Sequence, residues 1–443
     1  MKSIVKNKHK LKEIVDCQKR GIPKGVYSVC SANEFVIEAA MEKALVEYDD
    51  VIIEATANQV NQFGGYTGMK SHNFRDFVFY IAEKIDFPKD KIILGGDHLG
   101  PLTWKNDDAD TSMLKASELV RSYTLAGFTK IHIDTSMHLG NDDKTRPLDM
   151  EIIAKRGAYL CKYVEAAYSE LKEKDQDAIR PVYVIGSEVP IPGGIQESER
   201  SIHVTKVKDF EETVNIFRDT FMQNGLEDAW NQVIAVVVQP GVEFGDDIVY
   251  KYNRENAKDL TNSLKKYQEI VFEGHSSDYQ SPVSLREMVE DGIAILKVGP
   301  ALTYALREAL YLLCFIENEI LGNRSDINLS NFINTLDDAM MNDPSNWEKY
   351  YRGSEDAIKL AKKYSFSDRC RYYLPLPDVM KSISILIKNL TMEKIPLTLI
   401  SQYLPVQYNK IKTGMLKNSP ESIIKDRIIN IIDDYYYAIK HNK

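Results

Sequence analysis

Eight short apolar runs, rich in β-branched residues, recur along the chain between Gly25 and Val298, and each ends in polar or glycine-rich sequence. Most of these runs are continuous rather than alternating, which is typical of parallel strands that are covered on both faces. Longer segments with apolar positions at helical spacing, such as Glu34–Tyr48, separate them. The predicted strands are Gly25–Cys30, Val51–Ala55, Ile92–Gly95, Lys130–Asp134, Val182–Gly186, Ile234–Gln239, Ile270–Glu273 and Ile295–Val298.

Eight strand–helix units in succession predict an α/β fold, a TIM (β/α)8 barrel. A doubly wound open sheet is the competing arrangement, but no GxGxxG follows the first strand and the repeat count is eight. After Pro300 the helical pattern continues without a convincing strand, so an α-helical C-terminal extension is expected. We predict an N-terminal helix capping the barrel (1–24, helical from about Val5 to Gln18), the barrel itself (25–320) and a helical region packed on it (321–443).

Polar side chains follow nearly every predicted strand, at the end where TIM barrels carry their reacting groups. A single aspartate at such a place is more often a helix N-cap than a catalyst. So many ionisable and amide groups at one mouth nevertheless favour a catalytic or metal-binding site. The candidates for binding substrate are Asn33, Glu54, Gln59, Asn61, Gln239, Ser276, Ser277, Lys297 and Gly299.

Two of the eight histidines, His98 and His275, stand at predicted strand ends. Together with Glu188 they offer three ligands for a divalent metal, and Asp134 is a candidate fourth. The alternative is that each histidine only bonds to backbone or carboxylate groups. His132, within the fourth strand, is interpreted as a barrel-wall residue.

Three carboxylates are candidate catalytic groups: Asp97, Glu188 and Asp278. Asp97 directly precedes His98, so it is placed to act as a general acid or base beside a bound metal. Lys297 suits either a Schiff base with a ketose or, as we favour, pairing with a barrel carboxylate or binding phosphate. A phosphate site is expected in the loops after the last two strands, where a helix begins at Pro300. The SDRCRYY stretch of the helical region offers either further cations for that site or structural salt bridges.

The chain has 443 residues, a formal net charge of −9 and a pI near 5.6, which argues against nucleic-acid and membrane surfaces as partners. Its five cysteines are dispersed, and the N-terminus lacks the apolar run of a signal peptide, so a cytoplasmic location is expected. There is no GxxxxGK[ST] motif and no other nucleotide signature, so no nucleotide cofactor is expected.

Long motifs occur in a fixed order: VCSAN, IEATANQVNQFGGYTGM, ILGGDHLGP, YVIGSEVPIPGG, VVVQPGVEF, EGHSSDYQ, LKVGPALTYALREA, SDRCRYY and IPLTLISQYLP. In these motifs the sequence resembles the GatZ/KbaZ family, the second subunit of tagatose-1,6-bisphosphate aldolase. The resemblance implies a TIM barrel with a helical extension and a role in galactitol, N-acetylgalactosamine and tagatose catabolism. It also implies a partner, a separate zinc-dependent class II aldolase subunit, which members stabilise and activate.

By likeness to that catalytic partner, Asp97 would transfer protons and His98 and His275 would bind metal. Some relatives are regarded as ketose or ketose-6-phosphate 4-epimerases, and older labels call members tagatose-6-phosphate kinases. Two functions stay open: a metal-dependent aldolase or 4-epimerase of ketose phosphates, or a non-catalytic subunit. The expected cofactor is a divalent metal, zinc before manganese or magnesium. The expected ligands are phosphorylated ketohexoses or triose phosphates, and a homo-oligomer is expected.

Overall fold

The computed structural model describes residues 8–186 and 202–440. Eight parallel strands close into a barrel in the order β1-β10-β9-β6-β5-β4-β3-β2, which confirms the predicted α/β barrel. A two-stranded antiparallel ribbon, β7 and β8, follows β6. The strands are β1 Val26–Cys30, β2 Val51–Thr56, β3 Ile92–Leu99, β4 Lys130–Ile133, β5 Val182–Ile185, β6 Val233–Val238, β7 Glu243–Phe244, β8 Val249–Tyr250, β9 Val271–Gly274 and β10 Ile293–Val298.

Helices cover the outside of the barrel and then continue alone to the end of the described chain. The first ten are α1 Leu11–Lys19, α2 Glu34–Glu47, α3 Ser71–Lys84, α4 Ala109–Leu125, α5 Met150–Lys174, α6 Val207–Gln223, α7 Glu227–Trp230, α8 Arg254–Ser263, α9 Pro282–Glu290 and α10 Pro300–Leu321. The remaining ones are α11 Phe332–Asn342, α12 Glu355–Tyr364, α13 Pro377–Met392, α14 Leu397–Tyr403, α15 Pro405–Lys412 and α16 Pro420–Ile439.

Helix α1 lies at the N-terminal end of the barrel, opposite the predicted mouth. Its apolar residues Leu11, Ile14 and Val15 share one buried cluster with residues near the starts of several strands, such as Ile52 and Ile93. The helix begins at Leu11, later than the predicted start near Val5, and residues 1–7 lie outside the described part.

The last helix, α16, connects the C-terminal region to the barrel. It packs against α2, α9 and α10. The Tyr435 hydroxyl donates to the backbone oxygen of Ser277, in the loop after β9, at 3.1 Å. The domain boundaries themselves stay a prediction. Within residues 8–186 and 202–440, no helix combines the length and apolar character needed to cross a membrane.

Candidate active site

Asp97 and His98 are neighbours in β3, yet both line the same cavity. In a regular strand, successive side chains point to opposite faces. Here the pairing of β3 with β4 shifts register between Gly96 and Leu99, and His98 adopts a left-handed backbone with φ +47°. This irregularity, a bulge in the strand, brings both side chains to one side.

Four buried residues form a cluster at the centre of the mouth: Asp97, His98, His132 and His275. One potential ligand atom from each lies within 4.8 Å of the others. The three imidazole centroids are 4.9, 5.0 and 5.1 Å apart. Imidazole and carboxylate donors in this arrangement suit a divalent metal ion.

A carboxylate lies against one nitrogen of each imidazole. The Nδ1 atom of His98 is 2.8 Å from Asp134 Oδ2, and the Nδ1 atom of His132 is 3.0 Å from Asp97 Oδ1. The Nε2 atom of His275 is 2.9 Å from Glu273 Oε1. Carboxylate partners of this kind fix the tautomer and orientation of metal-binding histidines.

The interpretation of His132 as a barrel-wall residue is wrong. Residues two apart on a strand face the same side. Lys130 and His132 therefore both point into the barrel, whereas Ile131 and Ile133 pack in the outer core. His132, rather than Asp134, is the fourth member of the cluster, and Asp134 holds His98 in place.

Buried charges link the two sides of the cluster from below. Lys130 Nζ lies 2.7 Å from both Glu54 Oε1 and Glu273 Oε2, and none of these three side chains is exposed. Glu54 also pairs with Lys297, whose Nζ is 3.1 Å from Asp97 Oδ2. A chain of alternating charges therefore runs from Glu273, which holds His275, to Asp97, and each buried charge has a partner. The absence of a side chain at Gly95 leaves room for Glu54, because a Cβ atom at position 95 would lie 2.6 Å from the Glu54 side chain.

The electrostatics of the cluster keep its carboxylates ionised. Burial alone would raise the pKa of Asp97, but His98, His132 and His275 hold that pKa below its usual range. Burial is likewise outweighed at Asp134, where His98 lowers the pKa to about 2. Asp97 and Asp134 in turn overcome the effect of burial on His98 and raise its pKa to about 9.

A cavity of about 590 Å³ opens above the cluster. It is large enough for a small metabolite, since ligand cavities commonly measure about 300–1,000 Å³. The predicted site residues that line it are Asn33, Gln59, Asp97, His98, His275, Ser276, Asp278, Lys297 and Gly299. Tyr66, which the strand-end pattern does not single out, lines it as well, together with Arg371 and Tyr372 of the SDRCRYY stretch.

Among the described residues, four other predicted substrate-binding side chains do not line this cavity. Glu54 is taken up by the buried charge network. Asn61 and Gln239 accept backbone N–H groups within their own loops. Ser277 donates to the backbone oxygen of Lys297 at 2.5 Å. Glu188 lies outside the described residues.

Asp278 occupies the place where the sequence suggested a phosphate. Its Oδ1 atom accepts the backbone N–H groups of Gly299 at 3.0 Å and Ala301 at 2.8 Å, at the N-terminus of α10. The carboxylate thus satisfies the donors that would otherwise attract an external anion. Burial raises the pKa of Asp278 to about 6, although these N–H groups oppose the shift.

Comparison with known proteins gives consistent matches over nearly the whole chain. A family model described as D-tagatose-1,6-bisphosphate aldolase subunit GatZ/KbaZ-like matches residues 11–440. Proteins named D-tagatose-1,6-bisphosphate aldolase subunit GatZ from Salmonella dublin and Salmonella typhimurium are 45% and 44% identical over 428 residues, which is 97% of this chain and 99% of each relative. A crystal structure of a protein described as a probable tagatose 6 phosphate kinase, from Sinorhizobium meliloti 1021, superposes with a TM-score of 0.84 at 41% identity, covering 94% of this chain and 100% of that one.

Proposed function

The chain belongs to the D-tagatose-1,6-bisphosphate aldolase subunit GatZ/KbaZ-like family, and we propose that it is a component of that aldolase with a divalent-metal site of its own. The proposed chemistry is aldol cleavage and addition on ketose phosphates. It includes exchange of fructose 6-phosphate and tagatose 6-phosphate by inversion at C4. The carrying observation is the buried cluster of Asp97, His98, His132 and His275.

The residues present fit a metal. The Nε2 atom of His132 is buried and has no hydrogen-bond partner among the described residues, which is costly unless something binds it. In the tautomer in which Nδ1 of that ring donates to the ionised Asp97, rather than accepting the backbone N–H group of His98, Nε2 carries the lone pair that a metal requires. His98, His132 and His275 would hold the ion, and zinc suits three imidazoles best. Glu188 stays a candidate ligand and candidate catalytic residue from sequence.

A divalent ion bound by this cluster supplies Lewis-acid charge that polarises a ketose carbonyl. Asp97 then acts as the base. Its ionised carboxylate accepts the proton of the C4 hydroxyl as the C3–C4 bond breaks, and it returns that proton when the bond forms again. Re-addition to the opposite face of the aldehyde gives the C4 epimer, so one set of residues serves both outcomes. Lys297, 3.1 Å from Asp97 Oδ2, holds the carboxylate in position.

The second candidate is a non-catalytic subunit that stabilises a separate zinc-dependent class II aldolase subunit. The names of the Salmonella relatives, which call those proteins subunits, favour this alternative. Phosphotransfer, the activity in the name of the Sinorhizobium protein, finds no support in this sequence, which lacks a GxxxxGK[ST] loop. A homo-oligomeric state and a cytoplasmic location stay predictions.

The test is turnover by the purified chain on its own. The metal-free protein is supplied with Zn²⁺, Mn²⁺ or Mg²⁺ and incubated with fructose 6-phosphate or tagatose 1,6-bisphosphate, and products are followed by NMR. We expect tagatose 6-phosphate or triose phosphates, with loss of product in Asp97→Asn. Asp110→Asn, an exposed change on α4, is the matched control and should keep full turnover. If no product forms with any of these metals, the result would reject the catalytic proposal and favour the non-catalytic subunit.

A further inference from the structure

A segment of the C-terminal region, residues 365–372, completes the barrel mouth. It follows α12 and binds loops after β7, after β9 and at the start of α10. The contacts are Ser365 Oγ to Asp246 Oδ1 at 2.8 Å, Tyr279 Oη to the Phe366 backbone oxygen at 2.7 Å, and Thr303 Oγ1 to Asp368 Oδ2 at 2.6 Å. Because Asp368 and Ser365 are buried, these bonds fix where the residues that follow can lie.

This 365–372 segment places Arg371 in the wall of the cavity that also contains Asp97, His98 and His275. The guanidinium donates to the backbone oxygens of Ser367 and Asp368 and to the Tyr372 hydroxyl. All three acceptors are neutral. These bonds hold the side chain in one orientation without neutralising its charge.

The other cations of the cavity wall, within the described part of the chain, have carboxylate partners. Lys84 pairs with Glu34 and Glu38. Lys425 also pairs with Glu38, and Lys297 lies beside Asp97. Arg371 has no such ion pair with a described residue, so its charge is free to bind an anionic ligand group.

The surroundings of Arg371 show the effect of that charge. Burial raises the pKa of the Tyr372 phenol, but Arg371 and Arg369 outweigh burial and leave the pKa below its ordinary value. The Asp368 and Asp278 carboxylates act on the Arg371 charge only from beyond ion-pair distance. An arginine stays protonated in proteins, and keeping a largely enclosed guanidinium without a close ion pair costs free energy. An anionic ligand group would remove that cost.

The N-terminus of α10, in the same cavity, cannot bind the anionic group instead, because Asp278 already accepts the N–H groups of Gly299 and Ala301. We propose that Arg371 binds the phosphate of the ketose phosphate. This inference rests on the proposed function for the substrate class. It makes the 365–372 segment, which lies outside the barrel, the source of selectivity for phosphorylated over unphosphorylated sugar. A planar guanidinium matches phosphate oxygens in a bidentate contact.

Calorimetric binding of fructose 6-phosphate and fructose to the metal-loaded chain tests the proposal. Wild type should bind the phosphorylated sugar at least about tenfold more tightly, the scale of one charge-assisted hydrogen bond. Arg371→Gln should lose most of that preference with metal content and melting temperature kept, and Arg371→Lys should retain part of it. The matched control is Lys84→Gln, which removes a paired cation from the same cavity and should keep the full preference.

A phosphate preference that survives in Arg371→Gln, or that is absent in wild type, would overturn the inference. Inorganic phosphate should compete with fructose 6-phosphate in wild type, and competition of equal strength in Arg371→Gln would also overturn it. These results are separable from the proposed function. If the chain binds phosphorylated sugar selectively but shows no turnover, the phosphate-binding role of Arg371 stands and the proposed catalysis is rejected. If the chain turns over substrate but Arg371→Gln keeps the full preference for phosphorylated sugar, only the role of Arg371 is rejected.

Discussion

The Nδ1 atom of His98 lies 2.8 Å from Asp134 Oδ2, and this contact makes Asp134 a support for the cluster. An ionised carboxylate only accepts hydrogen bonds, so Nδ1 of the His98 ring keeps its proton, and Nε2 is the nitrogen that a metal would bind once its own proton is displaced. Ser136 donates to the other oxygen of Asp134 at 2.6 Å and fixes that carboxylate in turn. The orientation of His98 therefore depends on a residue that is not itself in the cluster of four.

This arrangement predicts different results for an orienting residue and a ligand. Asp134→Asn should weaken zinc binding by about 10–100-fold, the usual effect of losing such a partner. His132→Ala should weaken zinc binding more, because it removes a proposed ligand. Competition with a chromophoric chelator measures both affinities. Asp110→Asn, an exposed change in the first turn of α4 that does not line the cavity, should bind zinc as wild type does, and equal affinity in all three variants would reject both roles.

Lys130 is expected to be essential for stability because it separates two buried carboxylates. Lys130→Met leaves Glu54 and Glu273 without their shared cation in a site with no exposure. Removing one partner of a buried pair costs about 3–5 kcal/mol. A lower unfolding midpoint in denaturant should report this loss.

The exposed Lys105→Met is the matched control, and it should change stability by less than about 0.5 kcal/mol. The double variant Lys130→Met with Glu273→Gln should recover part of the lost stability, because Glu273→Gln removes one of the two negative charges that Lys130→Met leaves without a shared cation. If Lys130→Met is as stable as wild type, the buried carboxylates do not need Lys130 as their shared cation.

Glu243 should make the stability of the fold depend on pH. Burial raises its pKa from the ordinary 4.5 to about 7, although the Phe244 N–H group and Ser276 oppose the shift. The folded chain therefore holds this proton more tightly than the unfolded chain does. The contribution of protonated Glu243 to the free energy of unfolding is fully present below about pH 4.5 and is lost as the pH rises to about 7.

Glu243→Gln removes that titration. Relative to wild type, the variant should gain stability between pH 5 and pH 8, by about 1–3 kcal/mol. Melting temperatures of both proteins across this range provide the measurement. A difference that stays constant with pH would mean that Glu243 does not titrate there.

Much of the fold could be predicted because the barrel strands are continuous apolar runs, and their ends supplied Asp97, His98 and His275. The inward-facing position of His132 was also visible. In the run KIHID, His132 alternates with Ile131 and Ile133, and that period of two places it on the inner face with Lys130. His132 lies within β4 rather than after its end, so the polar residues that follow the strands do not include it.

Other features depend on contacts between distant segments and leave little trace in the sequence. Arg371 reaches the mouth only because Ser365 and Asp368 bind Asp246 and Thr303, which are more than 60 residues away along the chain. The bulge that turns His98 toward Asp97 likewise arises from the pairing of β3 with β4.

Zinc stoichiometry decides whether this chain holds a metal ion with its own residues. The purified, metal-stripped chain is titrated with Zn²⁺ alongside a variant that carries His98→Ala, His132→Ala and His275→Ala together, with circular dichroism to verify that both are folded. We expect one zinc ion per wild-type chain and none in the folded triple variant. A wild-type chain that takes up no zinc, or a triple variant that binds zinc as wild type does, would contradict it.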